Sequence, residues 1–238
     1  MNLYYNTVSN ILLECLQKLM ANTVFNDFVL VGGTALSLQL GHRASVDIDL
    51  FTANTYGSMK LENIKSFLAA SFPYTEQLDQ LTRRNLGYSV YIGNNKVEKV
   101  KLDLFYMDEF IAPIVQQEGL RLASLQDIAA MKMQAIVNRK RKKDFWDIHE
   151  LLEHFTLKEM IQYGVQRNPY TLTKNEILDA LNHPTELSQD NVIVCLRGKY
   201  WELIVEDLQV AAKHERSFDR NHPDAERIYE VNNTFLHC

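Results

Sequence analysis

The chain has 238 residues, of which 46% are hydrophobic and 23% are charged, and its formal net charge is −5. This composition predicts one large or two modest globular domains and argues against a protein that binds nucleic acid over its whole surface. No apolar run reaches the ~20 residues of a membrane span, and the first residues lack the pattern of a secretory signal. Three scattered cysteines predict neither a disulfide framework nor a zinc site. We therefore expect a cytoplasmic protein that makes no contact with a membrane.

Helical and strand-like periods alternate along the first half of the chain. In chain order they predict a helix at residues 8–20 with Ser9 as its N-cap, a strand at 28–31, a helix at 35–40, a strand at 46–51, a helix at 59–70, and strands near 75–82, 87–92 and 97–106. From Leu125 onward the period is helical, and the predicted helices span 125–137, 145–152, 176–181 and 200–212. We therefore predict an α+β protein with two domains, at residues 1–124 and 125–238.

The predicted strand at 28–31 ends at a pair of glycines, Gly32 and Gly33. Because they have no Cβ atoms, these residues leave their backbone N–H groups open to a ligand. A helix that begins at Thr34 or Ala35 would direct its positive end to the same point. This arrangement favours a phosphate-binding turn. A tight turn without a ligand is the commoner use of two glycines after a strand, so the pattern alone leaves both interpretations open.

Two acidic residues share one face of the predicted strand at 46–51. Asp47 and Asp49 are two positions apart, so their side chains project to the same side, while the apolar residues that alternate with them suit a core. Like charges held this close repel one another unless a cation lies between them. A solvent-exposed strand can alternate in the same way for solubility alone, so the pair needs support from elsewhere in the chain.

A third carboxylate lies on the predicted strand at 97–106. Asp103 stands between Leu102 and Leu104, which face the other way. If this strand lies beside the Asp47 strand, three carboxylates converge, and repulsion raises the pKa of at least one of them. Oxygen ligands without histidine or cysteine favour Mg²⁺ or Mn²⁺ over zinc. Two such ions would stabilise the attacking and leaving oxygens of a phosphoryl displacement.

Residues 32–50, GGTALSLQLGHRASVDIDL, resemble the glycine-pair and Asp-x-Asp signature of the polymerase-β-like nucleotidyltransferases. The fuller pattern, in which Arg43 and Ser45 precede the aspartates, is similar to the AbiEii/AbiGii group, the toxin halves of bacterial abortive-infection and toxin–antitoxin pairs. Residues 127–152, DIAAMKMQAIVNRKRKKDFWDIHELL, are similar to a second signature of that group. The resemblance covers residues 28–152, and the chain after residue 152 shows no recognisable motif.

The resemblance implies an active site assembled from both signatures. The catalytic residues that it implies are Asp47, Asp49, Asp103 and Lys132, of which the three aspartates bind the metal. The nucleotide-binding residues that it implies are Gly32, Gly33, Thr34, Arg43, Ser45, Arg139 and Asp147. The fold that it implies is a polymerase-β-like nucleotidyltransferase core, a mixed sheet with flanking helices. A helical C-terminal domain follows and completes the nucleotide site.

The second signature also has a physical interpretation. Lys132 and Arg139 are seven positions apart with Ala135 between them, so two cations share a helix face and are suited to triphosphate oxygens. Asp147 would orient Lys132 or bind the nucleoside. A pair of salt-bridged surface helices has the same spacing and stays open as an alternative. Arg139 also begins a run of five cations, at 139–143, which suits either a solvated helix end or an RNA phosphate path.

We therefore predict an Mg²⁺- or Mn²⁺-dependent nucleotidyltransferase that transfers NMP from a nucleoside triphosphate and releases pyrophosphate. The resemblance implies a toxin with a cognate antitoxin and, in some relatives, the 3′ end of tRNA as the acceptor. Two alternatives stay open: a small-molecule nucleotidyltransferase of the antibiotic-modifying type, and a non-catalytic module that binds a nucleotide or an antitoxin. The sequence indicates neither the nucleotide, nor the acceptor, nor the oligomeric state.

Overall fold

The computed structural model describes residues 2–81, 86–184 and 192–218. The helices in these residues are α1 (Asn10–Ala21), α2 (Gly32–Leu40), α3 (Leu61–Ser71), α4 (Leu125–Asn138), α5 (Lys142–Leu151), α6 (Leu157–Arg167), α7 (Lys174–Asn182) and α8 (Trp201–Phe218). The strands are β1 (Val29–Leu30), β2 (Asp47–Thr52), β3 (Tyr74–Glu76), β4 (Gly87–Gly93), β5 (Lys99–Tyr106), β6 (Val115–Gln117) and β7 (Leu120–Leu122). The predicted α+β class is confirmed.

Within the described residues, the seven strands form one mixed sheet in the order β3-β4-β5-β2-β1-β7-β6. The central strand β2 pairs in parallel with β5 and antiparallel with β1. Buried and half-buried residues alternate along β2 and along most of β5, so one face of the sheet packs on the core while the other carries polar side chains. Helix α1 packs against β2, β4 and β5. The predicted mixed sheet with flanking helices is confirmed.

The helical half begins at α4, where Ser124 caps the helix by accepting a hydrogen bond from the Asp127 amide. Helix α4 packs against α5, α6 and α7, and also against α2 of the first half. One cluster of buried apolar side chains therefore runs through both halves, with Leu36 and Ile136 among its members. The start of α4 coincides with the predicted boundary at residue 124. The division into two domains stays a prediction.

Two predicted elements have different bounds in the structure. Helix α2 begins at Gly32, not at Thr34 or Ala35, so both glycines lie in its first turn. The strand predicted at 75–82 is the short strand β3, which ends before Gln77 because that residue has a left-handed φ of 68°. Residue 82 lies outside the described residues.

Sequence periodicity missed three elements. Strands β6 and β7 are three residues each and form a hairpin, which is too short for alternation to stand out. Helix α6 has a capping box in which Thr156 and Glu159 bond each other's backbone N–H groups, a signal that the sequence does carry. In the described part of the chain, none of the helices is long and apolar enough to cross a membrane.

Candidate active site

The parallel pairing of β2 with β5 positions the carboxylates. Its register sets Asp49 directly beside Asp103, with Asp47 two residues earlier on β2. Paired residues of neighbouring strands lie only ~5 Å apart, and side chains at paired positions point to the same face. The opposite face is core, since Ile48 and Leu102 are fully buried. The expectation that the Asp103 strand lies beside the Asp47 strand is confirmed.

Asp49 is the carboxylate most affected by its surroundings. Burial, together with the charges of Asp103 and Asp47, raises its pKa from the ordinary value of 3.8 to about 6. The predicted raised pKa within this group is therefore confirmed at Asp49. Two like charges act on it from its own face of the sheet, so a cation bound there would be favoured.

The first turn of α2 lies against the same carboxylate. Gly32 has a φ of 68°, and a Cβ at this position would lie 2.6 Å from Asp49 Oδ2. Only glycine therefore fits between β1 and the carboxylate. The first N–H groups of a helix have no partner within the helix, and the helix dipole adds positive potential at this end. The turn is thus suited to an anion beside Asp49.

Asp103 already has partners on the protein. Its Oδ1 accepts a hydrogen bond from Ser89 Oγ at 2.5 Å, and Lys101 Nζ lies 2.7 Å from its Oδ2. Within the described residues, no group of three or more histidine, cysteine, aspartate or glutamate side chains is arranged to hold a metal ion. The binding of metal by Asp47, Asp49 and Asp103 together therefore stays a prediction. Their oxygen chemistry and the repulsion at Asp49 fit a hard divalent cation.

Lys143 is a cation of the site that the predicted set did not include. Its Nζ lies 3.8 Å from Asp47 Oδ2, and about a third of its side chain is exposed. Burial lowers the pKa of Lys143, while the charge of Asp47 acts in the opposite direction. The signal available in the sequence was its place directly before Asp144 in the second signature. The second signature contains this Lys-Asp pair, and Lys143 also belongs to the basic run at 139–143, but neither pattern assigns it to the metal or nucleotide site.

Asp147 is the centre of a buried ion cluster behind the site. Its carboxylate receives Arg43 Nε at 2.6 Å and Arg43 Nη2 at 2.8 Å, lies 2.5 Å from Lys132 Nζ, and bonds the His42 ring at 2.8 Å. Although burial acts to raise it, the pKa of Asp147 lies well below its usual range because of the Arg43 and Lys132 charges. Asp147 therefore remains ionised and orients both cations.

A second buried aspartate shares Lys132. Asp144 accepts from Lys132 Nζ at 2.7 Å and takes two hydrogen bonds from Arg139, each at 2.9 Å. Lys132 is only 3% exposed, whereas nearly half of the Arg139 side chain is exposed. The two cations that were predicted to share a helix face thus meet at one carboxylate. Arg139 is the C-cap of α4.

The remaining loop residues join this cluster to the glycine turn. The hydroxyls of Thr34 and Ser45 are 2.8 Å apart, and Thr34 Oγ1 also donates to the backbone carbonyl of Asp47. A Cβ at Gly33 would collide with the Arg43 guanidinium. Gly33 is therefore required first by the close approach of Arg43, a reason that the sequence did not reveal. Substitution there would displace Arg43 as well as fill the space above the turn.

The structure thus separates the predicted residues into two groups. Those on the carboxylate face or in the first turn of α2 are Gly32, Gly33, Asp47, Asp49 and Asp103. Those packed behind that turn or around the buried aspartates are Thr34, Arg43, Ser45, Lys132, Arg139 and Asp147. The roles of both groups in nucleotide binding or catalysis stay predictions.

Comparison with solved structures identifies the fold. The chain shares its fold with MenT4, a nucleotidyltransferase toxin from Mycobacterium tuberculosis H37Rv, at a TM-score of 0.56 and 14% identity over 91% of this chain and 85% of that one. JHP933 from Helicobacter pylori is similar at a TM-score of 0.51 and 17% identity, with 95% of each chain covered. The mixed sheet with a helical C-terminal region therefore resembles the fold of this nucleotidyltransferase toxin.

The family follows from the sequence itself. Residues 14–220 match the family described as the nucleotidyl transferase AbiEii toxin of type IV toxin–antitoxin systems. Aquifex aeolicus (strain VF5) has a relative, described as uncharacterized, that is 35% identical over 156 residues, or 62% of this chain and 69% of that protein. The chain belongs to the AbiEii family and is a nucleotidyltransferase. The predicted resemblance is confirmed.

Proposed function

We propose that this nucleotidyltransferase binds a nucleoside triphosphate with Mg²⁺ or Mn²⁺ and transfers its NMP group to an RNA acceptor. One observation carries the proposal. Asp49 lies beside Asp103 on a parallel strand and also touches Gly32 in the first turn of α2. A carboxylate pair suited to divalent cations and a helix end suited to phosphate therefore meet at one point.

In the proposed reaction, an acceptor hydroxyl oxygen bonds to the α-phosphorus, and the bond from that phosphorus to the bridging oxygen breaks. Pyrophosphate leaves, and the hydroxyl proton passes to a carboxylate, for which Asp103 is suited. The amides of Gly32 and Gly33 would hold phosphate oxygens, and Lys143 would neutralise further charge. Asp47 and Asp49 would hold the divalent cation, whose charge stabilises the developing oxyanions.

The buried cations would hold these groups in position. Lys132 and Arg43 are nearly fully buried and neutralised by Asp144 and Asp147, so we assign them to positioning rather than to direct contact with the triphosphate. Arg43 lies directly behind Gly33 and thereby sets the turn that faces the nucleotide. Ser45 and Thr34 fix the start of β2 in the same way.

The acceptor and the partner are part of the same proposal. The basic turn between α4 and α5 includes the exposed Arg141 and lies next to Lys143 at the site. An RNA backbone that follows this turn would lie close to the carboxylates, and the family resemblance leads us to propose the 3′ end of tRNA as the acceptor. Membership of a toxin family implies a cognate antitoxin. We propose that this antitoxin counteracts the protein in the cytoplasm.

A labelling experiment tests the proposal. The purified protein is incubated with each α-labelled NTP, Mg²⁺ or Mn²⁺, and either total RNA or a panel of aminoglycosides, with Asp49→Asn as the control. We expect label in a tRNA-sized band with wild type and none with the variant. Label in the antibiotics would instead identify a small-molecule nucleotidyltransferase. The absence of label in every acceptor, with NTP bound, would indicate a non-catalytic binding module.

A further inference from the structure

A segment of the chain without any recognised motif crosses the loop that carries Arg43. Residues 192–199, here called the strap, lie between α7 and α8 of the helical half and contact the first half. The Ala44 amide donates to the Val194 carbonyl at 2.9 Å, and the Leu196 amide donates to the His42 carbonyl at 2.9 Å. Cys195 is thereby paired with Arg43 in an antiparallel bridge. The strap thus bonds the backbone on both sides of Arg43.

Two cations of the strap fasten it to the rest of the protein. Arg197 Nη2 donates to the carbonyl of Leu40, the last residue of α2, at 2.6 Å. Arg197 Nη1 pairs with the carboxylates of Glu150 and Glu153. Lys199 Nζ lies 3.0 Å from a carboxylate oxygen of each glutamate. Glu150 is fully buried, so it depends on these two cations for the compensation of its charge.

The strap packs on the core at alternate positions only. Ile193 and Cys195 are partly buried against the core, whereas Val192 is 91% exposed and Val194 is 55% exposed. Backbone hydrogen bonds and ion pairs therefore add to a limited apolar contact in holding the strap against the loop. Removal of its cations should loosen the strap while the hydrophobic core of the protein stays folded.

We propose that the strap is a positioning element of the nucleotide site and that Arg197 is its main positioning residue. Arg197 holds the C-terminal end of α2, whose first turn contains Gly32 and Gly33. The strap backbone holds the Arg43 loop, and Arg43 in turn lies behind Gly33 and pairs with Asp147. The proposal rests on the proposed function for its effect on NTP, but its effect on the Arg43 loop stands on the contacts alone.

The test compares Arg197→Met and Arg197→Lys with a control, Arg216→Met. Arg216 pairs with Asp179 and joins α8 to α7, away from the glycine turn. Hydrogen exchange measured by mass spectrometry reports on the loop, and calorimetry with Mg²⁺–ATP or Mg²⁺–CTP reports on the site. Steady-state labelling then separates KM from kcat. All measurements are made on the full chain.

We expect Arg197→Met to increase amide exchange about tenfold or more in peptides that contain Ala44 and Leu196, and not in peptides from α7. KM for the NTP should rise about tenfold in Arg197→Met, with a smaller change in kcat. Arg197→Lys should recover part of the loss in amide protection and in KM. Arg216→Met should change neither the exchange in the loop nor KM. Equal exchange in wild type and Arg197→Met, or a uniform rise across the molecule, would overturn the proposal. If wild type itself neither binds nor transfers NTP, the proposed function fails, and exchange in the loop still decides the role of the strap.

Discussion

Asp49→Asn measures how much the charge of Asp49 lowers the free energy of unfolding, independently of any reaction at the site. The substitution keeps the size of the side chain and removes one charge next to Asp103, Asp47 and Gly32. In the wild type, a carboxyl whose pKa rises from 3.8 to about 6 on folding is ionised at a cost. When the carboxyl is protonated this cost is absent. Its contribution to the free energy of unfolding is therefore fully present below pH ~4 and is lost as the pH rises through 6. Above pH ~7 the penalty is constant.

The size of this penalty follows from the pKa values. A rise from 3.8 to about 6 corresponds to about 3 kcal/mol of unfolding free energy at pH 7.5. We therefore expect metal-free Asp49→Asn to be more stable than wild type by up to about 3 kcal/mol at pH 7.5, and the two proteins to converge near pH 4. Millimolar Mg²⁺ should raise the stability of wild type and have less effect on the variant, because a bound cation relieves the same repulsion.

Urea unfolding with EDTA at several pH values between 4 and 8 measures this difference. Glu62→Gln is the matched control, since it removes one charge from a side chain that is 79% exposed on α3. Its effect should stay within about 0.5 kcal/mol at every pH. The reasoning is refuted if Asp49→Asn is no more stable than wild type at pH 7.5, or if its advantage is the same at pH 4.

Three further predictions concern the rest of the site. Lys143→Met should weaken NTP binding about tenfold or more in calorimetry, because it removes a charged group beside Asp47, and Lys65→Met on α3 should not change it. Asp147→Asn should lower the free energy of unfolding in urea by about 3 kcal/mol, since it leaves buried cations uncompensated. Asp207→Asn is the control for this variant, because it alters a half-exposed partner of a histidine, and it should cost less than about 1 kcal/mol. Expression of wild type without an antitoxin should stop growth while Asp49→Asn at equal levels should not, and equal inhibition by both would attribute toxicity to binding rather than to transfer.

The sequence determined those features that depend on local periodicity and on small motifs. The alternation around Asp47 and Asp49 predicted a strand with a polar and an apolar face, because side chains of a strand alternate in direction whatever lies beside it. Ser9 caps the start of α1 as predicted, since an N-cap uses only nearby backbone groups. The two signatures were specific enough to predict the family, because they combine residue types at fixed spacings.

Only the tertiary structure decided which cations of the second signature reach the carboxylate face of the site. Lys132 and Lys143 are both lysines of the second signature, and their spacing gives no indication of which is buried. The packing of α4 against α5 brings Lys132 within 2.7 Å of Asp144, whereas Lys143 projects toward Asp47 on β2. An ion pair forms with whichever carboxylate lies within about 4 Å, and that distance depends on how the helices cross.

The contacts of the strap also could not be predicted from the sequence, because they join residues that are far apart in the chain. Arg197 is 157 positions from Leu40, and no local pattern connects the two. Their contact arises because the helical half folds back on the Arg43 loop, so that backbone groups and charges from remote parts of the chain become neighbours. Periodicity reports only on residues within a few turns of one another. The carboxylate face could therefore be predicted from the sequence, whereas the groups that hold it in place could be identified only in the folded chain.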